Sequence, residues 1–379
     1  MAPTTAHPGQ APDRNAGRPK AERSPALLDL ECIQCGARHP VADLPRGCPA
    51  CDAAGRNSNM FCRYADEAPL AERVPYPGIP DPDQGPTPLL PWEPNVYVKN
   101  EAVLRTGSHK DRFAAVVAAH AQAAGYRAVA LGSSGNAGLA MAAYAAEAGL
   151  RCTVAAFEWL PETTRRFFTD LGADLRTFDD DRDRLRCIRD LADDPETLTV
   201  SNITDPVVGS HPLGIEGYKH IAWEIADQVP EDVDHVVVPS SRGDLAWGIC
   251  LGFWDLHQVT GRPVPKLHLV EPFPRLSAVL DGAAVTDRFP GDHGRLSSIA
   301  GSSTTVQAHR AVTLTGGTAT VVPDDTADTY YRLLCRRGHV WERSSVTVFA
   351  ALASLREKGV VRDDSVTVLV ATSHFFKGL

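Results

Sequence analysis

The sequence predicts an α/β protein with two open parallel or mixed sheets covered by helices, preceded by a zinc-ribbon-like module. From about residue 96 onward, short β-branched runs alternate with helical patterns, which is typical of parallel sheets with helices on both faces. The 379 residues exceed what one small core requires and favour two subdomains. Two CxxC pairs near the start have the spacing of a small metal-binding module.

We divide the chain into four stretches by composition. Residues 1–26 are polar and lack an apolar run, so we expect a disordered tail and no signal peptide. The zinc-ribbon-like module covers 27–65. Residues 66–95 are rich in proline and lack helical periodicity, which predicts an extended connection packed over the main body. That body covers 96–379, and its smaller subdomain lies around 130–215.

The predicted elements of the main body come in strand-then-helix order. The pairs are "NVYVKNE" before the helix of Lys110, "AVALGS" before "NAGLAMAAYAAEAG", "CTVAAF" before "LPETTRRFFTDLGA", and "DHVVVPS" before "DLAWGICLGFWDLHQ". Further strands are predicted at "DLRTFD", which also precedes a helix, at "KLHLVEP" and at "SVTVLVATS" near the end of the chain. This order predicts parallel pairing, because each helix returns the chain to the same edge of the sheet.

Composition excludes several classes of protein. The net charge of −9 argues against a nucleic-acid surface, and no apolar run approaches the ~20 residues needed to cross a bilayer. A hydrophobic fraction of 43% and a charged fraction of 22% are typical of a globular enzyme. Nine cysteines, four of them in CxxC pairs, suit a reducing cytoplasm better than a disulfide scaffold. We therefore expect a cytoplasmic protein with a small-molecule partner, no nucleic acid and no membrane.

The two CxxC pairs predict a structural zinc site. Cys32 and Cys35 form one turn, Cys48 and Cys51 form the other, and Gly36 suits a knuckle turn after the first pair. Four thiolates leave no open position on the metal for water or substrate. One alternative is a degenerate ribbon with four free thiols. A redox role is disfavoured, because neither pair opens a helix in a βαβ unit.

Lys110 lies at the start of an alanine-rich helix, directly after a Gly-Ser turn. Three further turns follow predicted strands at 132–138, 239–244 and 371–375. Open α/β sheets bind ligands at the C-terminal ends of their strands, and helix N-termini favour anions. The four segments thus offer an amine nucleophile and two anion-binding turns to one crevice. Taken alone, Lys110 could be a surface lysine, although the helix dipole disfavours a cation at that position.

This combination suits pyridoxal phosphate, which needs a lysine for a Schiff base, a cradle for its phosphate and a partner for its ring nitrogen. The sequence resembles threonine synthase and its relatives in the second, tryptophan synthase β-like fold type of pyridoxal-phosphate enzymes. The resemblance runs from about residue 85 to the end, and N-terminal ribbons are also seen in such proteins. It rests on the segments "GPTPLL", "GSHKDR", "GSSGNAGLAMAAYAAEAGL", "IEGYKHIAWEIA", "PSSRGDLAWG", "GHVWERSSVTVFAAL" and "TSHFFKG".

The resemblance implies roles for the matching residues. Lys110 would carry the cofactor and shuttle protons at the α and β carbons of the substrate. Thr372 would face the pyridine nitrogen, where a hydroxyl suits elimination and replacement better than transamination. The cofactor's phosphate would lie on Ser241, Arg242, Gly243 and Asp244, mainly on their backbone N–H groups. The substrate would contact Ser108, Ser134, Gly135, Asn136, Ala137 and His211, and Asn136 would also bond the ring hydroxyl of the cofactor.

Three positions depart from the family's pattern. His109 stands where threonine synthases usually have phenylalanine, either as a packing substitute or as an acid–base or substrate-facing group. Gly214 stands where the family has an arginine that grips the phosphate of O-phosphohomoserine, and His211 replaces an asparagine. A dianionic leaving group without a guanidinium fork loses its best partner. Arg242 could supply a different anion contact, or it could be a surface arginine at a helix start.

The sequence therefore predicts a lyase or synthase of amino-acid metabolism that uses pyridoxal phosphate and catalyses a β- or γ-elimination or a replacement. The altered phosphate grip favours a specialised pathway. Alternatives are a true threonine synthase acting on O-phosphohomoserine and a threonine dehydratase or β-replacement enzyme. A different class of function is a non-catalytic scaffold that docks a partner through its zinc ribbon. The resemblance also implies a homodimer.

Overall fold

A computed structural model describes residues 21–79, 85–133 and 135–378. Most of the expected tail and the predicted substrate residue Ser134 lie outside these ranges. The described residues contain thirteen strands, which are numbered here in chain order. They are β1 Leu27–Cys32, β2 Arg38–His39, β3 Met60–Tyr64, β4 Leu89–Glu93, β5 Val96–Asn100, β6 Ala128–Gly132, β7 Arg151–Phe157, β8 Asp174–Phe178, β9 Thr197–Thr199, β10 His235–Pro239, β11 Lys266–Glu271, β12 Ala319–Val321 and β13 Thr367–Ala371.

Twelve α-helices accompany these strands in the same described ranges. They are α1 Pro49–Ala53, α2 Lys110–Ala124, α3 Asn136–Glu147, α4 Glu162–Asp170, α5 Asp181–Ala192, α6 Pro212–Glu216, α7 Lys219–Gln228, α8 Asp244–Thr260, α9 Leu276–Leu280, α10 Val306–Thr315, α11 Asp324–Arg336 and α12 Arg343–Glu357. Two of the long helices end in the expected way. Gly125 after α2 and Gly261 after α8 adopt the left-handed conformation that closes a helix C-terminus.

The strands form three sheets, two of which belong to the main body. The larger has the order β12-β11-β10-β13-β5-β4, and the smaller has the order β8-β7-β6-β9. All pairs in both sheets are parallel except β4 with β5. The predicted fold class, two open parallel or mixed sheets covered by helices, is confirmed. Strands of the two sheets contribute to a single core, since Val129, Val154, Val236 and Leu269 belong to one buried cluster.

The proline-rich stretch is more structured than expected. It includes the edge strand β4, whose Pro91 lies opposite Tyr97 of β5. Proline is tolerated there because an edge strand has one side that pairs with no neighbour. The end of the expected tail is also ordered. Ser24 is buried, and its hydroxyl donates to the carbonyl of Glu72 at 2.7 Å.

The N-terminal module packs tightly on the main body. Its sheet has the order β2-β1-β3 and is antiparallel throughout. Glu216 of α6 joins it to the body, because the carboxylate accepts hydrogen bonds at 3.2 Å from the backbone N–H of Cys62 and the hydroxyl of Tyr64. Ile33 of the module is buried in the main core. The module is therefore fixed to the body by apolar packing and by buried hydrogen bonds.

Candidate active site

The four segments predicted to meet do meet. Lys110, the turn before α3, the turn before α8 and Thr372 after β13 all line one cleft of about 760 Å³ between the sheets. The turns lie at the C-terminal ends of β6, β10 and β13, the usual position for ligands in open parallel sheets. This volume is typical of sites that enclose a small molecule.

Lys110 is held at the first position of α2 by its two neighbours in sequence. The carboxylate of Asp111 accepts a hydrogen bond from the backbone N–H of Thr106 at 2.6 Å and another from its hydroxyl. The guanidinium of Arg112 is buried and pairs with Glu101 at 2.6 Å. The start of the helix is thus tied to the segment after β5, so the lysine has a fixed place at the cleft wall.

The amine of Lys110 donates a hydrogen bond to the hydroxyl of Tyr218 at 3.1 Å. Burial lowers the pKa of Lys110, and Asp244 opposes this effect in part. Burial also raises the pKa of Tyr218 well above its usual value, so its hydroxyl stays protonated. A lysine with a lowered pKa more readily presents the neutral amine that a covalent role with a carbonyl compound requires.

His109 lies against the cleft with its ring next to Tyr218, at 5.6 Å between the ring centroids. Its Nδ1 is 3.2 Å from the carbonyl oxygen of Thr372. A carbonyl only accepts, so Nδ1 carries the hydrogen in this contact. The backbone N–H of His109 donates to the same carbonyl at 2.9 Å. His109 therefore both packs in the wall and presents a polar ring to the cleft.

The turn before α3, which is predicted to bind the substrate, lies in the wall of the cleft. Gly135, Asn136 and Ala137 line the cleft. The side-chain amide of Asn136 donates to Glu342 and accepts from the hydroxyl of Ser373, both at 3.2 Å. These two contacts hold the amide of Asn136 in one orientation at the N-terminus of α3.

Thr372 lines the cleft and is 4% exposed. Its hydroxyl and that of Ser345 on α12 are 2.8 Å apart. Ser345 also accepts a hydrogen bond from the backbone N–H of Ser373 at 2.9 Å. The hydroxyl of Thr372 is thereby oriented by a second, buried hydroxyl that sequence reasoning did not single out.

The turn before α8 is the one predicted to cradle the cofactor's phosphate. Ser241, Arg242, Gly243 and Asp244 all line the cleft. Gly243 has φ +82°, and a Cβ on it would lie 2.4 Å from the Cβ of Ala308, so only glycine fits this turn. The first N–H groups of a helix have no acceptor within the helix and are free for an anion.

Asp244 is the first residue of α8 and lines the cleft, and its carboxylate is held by donors of the protein. Its carboxylate accepts from the hydroxyl of Ser210 at 2.7 Å and from the side-chain amide of Gln307 at 2.8 Å. Both oxygens are therefore engaged with neutral donors of the protein.

The structure places two predicted substrate residues outside the lining of the cleft. The described residues that line the cleft include neither His211 nor Ser108. The Nε2 of His211 lies 2.8 Å from Asp43 of the N-terminal module, because α6 lies under that module. Ser108 is fully buried and forms a bridge with Ser373, because the turn before Lys110 packs on the end of β13.

At Gly214, where the family's pattern has an arginine, neighbouring side chains leave no room for a larger residue. A Cβ on Gly214 would lie 2.5 Å from the ring of Phe113 and 2.6 Å from Val117. Phe113 itself lines the cleft and stacks near Tyr218, with ring centroids 6.2 Å apart. The wall that would carry a guanidinium is therefore apolar, and no side chain fits at Gly214 without moving α2.

Comparisons with known proteins agree with this geometry. The model of a family described as "Pyridoxal-phosphate dependent enzyme" matches residues 81–373. The chain belongs to this family. The threonine synthase of Halalkalibacterium halodurans is 26% identical in an alignment of length 327 that covers 84% of this chain and 89% of that protein. The threonine synthase of Methanosarcina acetivorans is 27% identical in an alignment of length 392 that covers 93% of this chain and 92% of that protein.

Solved structures show the same fold. O-ureido-L-serine synthase superposes with a TM-score of 0.62 at 20% identity, covering 77% of this chain and 90% of that one. The processed form of threonine deaminase isoform 2 from Solanum lycopersicum gives a TM-score of 0.60 at 17% identity, covering 82% and 84%. At these identities the likeness concerns the fold alone. Together with the family match, it places this chain among the pyridoxal-phosphate dependent enzymes of the second fold type.

The residues of the cleft fit the cofactor of this family. The amine of Lys110 is the group that a carbonyl cofactor requires, and the amides before α8 suit its phosphate. The hydroxyl of Thr372 and the amide of Asn136 are neutral donors or acceptors on other walls of the same cleft. Among the described residues, none of these groups forms a salt bridge that would have to break when the cofactor binds.

Two aspects of the cleft escaped sequence reasoning. Tyr218 lies in the "EGYK" segment, at the position where the family's pattern has a glutamine. This difference could be read from the sequence. Arg184 and Arg288 also line the cleft, but they come from α5 and from a long loop after α9, where no motif marks them.

The structure describes no helix long and apolar enough to span a membrane in the residues that it covers.

The four cysteines of the N-terminal module come together as predicted. The sulfur atoms lie within 4.8 Å of one another, with Cys32–Cys51 and Cys35–Cys48 at 3.7 Å. A tetrahedron with zinc–sulfur bonds of ~2.3 Å has sulfur–sulfur separations of about 3.8 Å. The four thiols are therefore spaced for one tetrahedral metal ion.

Proposed function

We propose that this enzyme catalyses an elimination or a replacement at the β or γ carbon of an activated amino acid, in a specialised pathway related to threonine synthesis. The observation that carries the proposal is the wall at Gly214. Phe113 occupies the space where the threonine synthase pattern has a phosphate-gripping arginine. A buried phosphate that lacks a charged donor costs about 1.5–3 kcal/mol per lost bond. The leaving group is therefore less charged than that of O-phosphohomoserine, or its charge lies elsewhere.

Bound pyridoxal phosphate supplies an electron sink for negative charge that develops at the substrate's α carbon. Lys110 holds the cofactor and moves protons at the α and β carbons, and Tyr218 keeps its amine in place by the 3.1 Å hydrogen bond. The amides at Gly135, Asn136 and Ala137 bind the substrate carboxylate. The oriented hydroxyl of Thr372 leaves the pyridine nitrogen without a full negative partner, which favours elimination and replacement.

The same proposal extends to the metal and the assembly. Cys32, Cys35, Cys48 and Cys51 hold one structural zinc, supported by sulfur spacings of 3.7 Å. Four thiolates fill the coordination sphere, so the metal stabilises the module and takes no part in the reaction. The enzyme acts as a cytoplasmic homodimer, in line with the usual arrangement of the family.

Three alternatives remain as outcomes of the test. A true threonine synthase would turn over O-phosphohomoserine efficiently. A threonine dehydratase or β-replacement enzyme would act on threonine or on serine-type substrates. A non-catalytic scaffold that docks a partner through the ribbon is disfavoured, because Lys110 and Thr372 line one cleft and Tyr218 bonds the amine of Lys110.

A screen of amino acids against the purified, cofactor-loaded enzyme tests the proposal. A change in the visible absorbance of the bound cofactor identifies each amino acid that reacts. O-phosphohomoserine is then tested by steady-state kinetics, with threonine and phosphate as products. We expect a low kcat/KM. Turnover at ~10⁴ M⁻¹s⁻¹ or above would contradict the proposal and establish a plain threonine synthase.

A further inference from the structure

One arginine of the cleft has no side-chain hydrogen bond or ion pair among the described residues. Arg242 follows β10 and lines the cleft. Its guanidinium has no hydrogen bond or ion pair with any residue in 21–79, 85–133 or 135–378, whereas Arg112 and Arg275 are bonded to carboxylates or carbonyls. Arg242 is only partly buried and lines the cleft, so its guanidinium is open to a ligand there. A guanidinium with no partner of its own gains charge-assisted hydrogen bonds when an anion binds.

Two further arginines share this part of the cleft. Arg184 on α5 pairs with Asp181 at 2.5 Å and lies 4.5 Å from the ring centroid of Phe157. Arg288 pairs with Asp205 at 2.5 Å and donates to the hydroxyl of Ser302 at 3.1 Å.

Arg184 and Arg288 act electrostatically on Arg242, and with burial as the first cause they lower its pKa. Three guanidinium groups here face three carboxylates, those of Asp181, Asp205 and Asp244, but none of these carboxylates forms an ion pair with Arg242.

The cluster is distinct from the wall that threonine synthases use. Gly214 lies on α6 beneath Phe113, whereas Arg242 lies at the turn before α8. Arg242 belongs both to the turn before α8 and to this cluster, but the turn would offer its backbone amides to the cofactor and the cluster offers side chains. An anion held by Arg242 would therefore be placed differently from the phosphate of O-phosphohomoserine in the family's pattern.

We propose that the side chain of Arg242, supported by Arg184 and Arg288, binds an anionic group on the side chain of the substrate, a phosphate or a carboxylate. The inference rests on the proposed function in taking the ligand to be an amino acid. Guanidinium groups suit both anions, because their parallel N–H groups match two oxygens of one group. Arg242 thereby determines specificity, while Lys110 carries out the chemistry.

Inorganic phosphate is the first probe, used in titration calorimetry on the cofactor-loaded enzyme in phosphate-free buffer. The wild type should bind it, and Arg242→Gln should bind it about ten- to a hundredfold more weakly, as expected for the loss of charge-assisted bonds. Arg186→Gln is the matched control, because Arg186 lies on α5, is exposed and pairs with Asp183. Equal phosphate affinity in Arg242→Gln and the wild type would overturn the proposal.

A second measurement separates the substrate anion from the cofactor's phosphate. The affinity for pyridoxal phosphate, measured by absorbance, should be unchanged in Arg242→Gln. A tenfold loss of cofactor affinity in that variant would assign the guanidinium to the cofactor and overturn the proposal.

The third arm compares O-phospho-L-serine with O-acetyl-L-serine in spectral titrations. The wild type should favour the phosphate ester, and Arg242→Gln should lose that preference. If no amino acid perturbs the cofactor yet phosphate binding depends on Arg242, the anion site stands and the proposed function fails. If amino acids react but neither phosphate binding nor the preference depends on Arg242, the proposed function stands and the anion site fails.

Discussion

The amine of Lys110 and the hydroxyl of Tyr218 are joined by a 3.1 Å hydrogen bond across the cleft wall. Tyr218 is fully buried and Lys110 opens an apolar helix, so water competes weakly for this contact. The ring of the same tyrosine is stacked on that of Phe113 and is tilted against that of His109. This cluster fixes the amine at one place in the cleft.

Tyr218→Phe should retain the cofactor and its fold but lower kcat about two- to tenfold. The reason is that one hydrogen bond to the reacting amine, with a net value of about 0.5–1.5 kcal/mol, is lost while the ring remains. The pH profile of kcat should also shift, since the environment of the Lys110 amine changes. Tyr64→Phe is the control, because its hydroxyl bonds Glu216 outside the cleft. An unchanged kcat and pH profile in Tyr218→Phe would show that the tyrosine contributes only through the packing of its ring.

Gly243→Ala should weaken cofactor binding at least tenfold. A methyl group there would lie 2.4 Å from the Cβ of Ala308, and the residue has φ +82°. Gly261→Ala at the other end of α8 is the matched control, because it has φ +77° but nothing within 4 Å of its Cβ. Cofactor affinity measured by absorbance titration should fall only in the first variant. Equal losses in both would mean that backbone strain, and not the cradle, is responsible.

One zinc per chain is expected after the protein has been washed with chelator, and Cys48→Ser should lose it. Structural metal binding is coupled to folding, so the variant should also unfold at a lower temperature. Cys335→Ser is the control, since Cys335 is exposed and lies outside the cysteine cluster. Elemental analysis and thermal unfolding measure both effects. Stoichiometric zinc in Cys48→Ser, or none in the wild type, would show a degenerate ribbon.

The contact between Asp43 and two histidines should make the docking of the ribbon sensitive to acid. Asp43 accepts hydrogen bonds at 2.8 Å from His120 and His211, and at 2.6 Å from Tyr126. Burial alone would raise the pKa of Asp43, but these hydrogen bonds hold it below its usual value. Its stabilisation is therefore present above about pH 4 and is lost as the pH falls further.

Burial lowers the pKa of His211, so the folded protein favours the neutral ring and loses stability as the pH falls below about 6.5. Urea unfolding should show Asp43→Asn destabilised by about 1–3 kcal/mol at pH 7, as its partners lose an acceptor. The loss of stability between pH 7 and pH 5 should be smaller in His211→Gln than in the wild type. Identical pH dependence in the two proteins would contradict this assignment.

The fold was largely predictable, because its signals are local. The β-branched run "DHVVVPS" became the buried strand β10, and the alanine-rich segment after Lys110 became α2. The short strands β9 and β12 have only three residues each, which is too few for a period to be recognised. β4 was missed because proline argues against a strand unless the strand is known to lie at an edge.

The candidate site was predictable where a motif fixes the backbone and unpredictable where side chains meet across the fold. The turns at Asn136 and Gly243 follow strands, so their place at the cleft could be deduced from topology. The placement of His211 against Asp43 depends on how a separate module docks. The convergence of Arg184, Arg242 and Arg288 depends on three elements distant in sequence, and no spacing rule relates them.

The central claim is that Lys110 carries the cofactor, and chemical trapping tests it most directly. Borohydride reduction of the cofactor-loaded enzyme, followed by peptide mapping, should place the pyridoxyl group on Lys110. Lys110→Ala should lose the visible band and nearly all turnover, whereas Lys358→Ala, at the C-terminus of α12, should keep both. A pyridoxyl label on any other lysine, or an intact visible band in Lys110→Ala, would contradict the account.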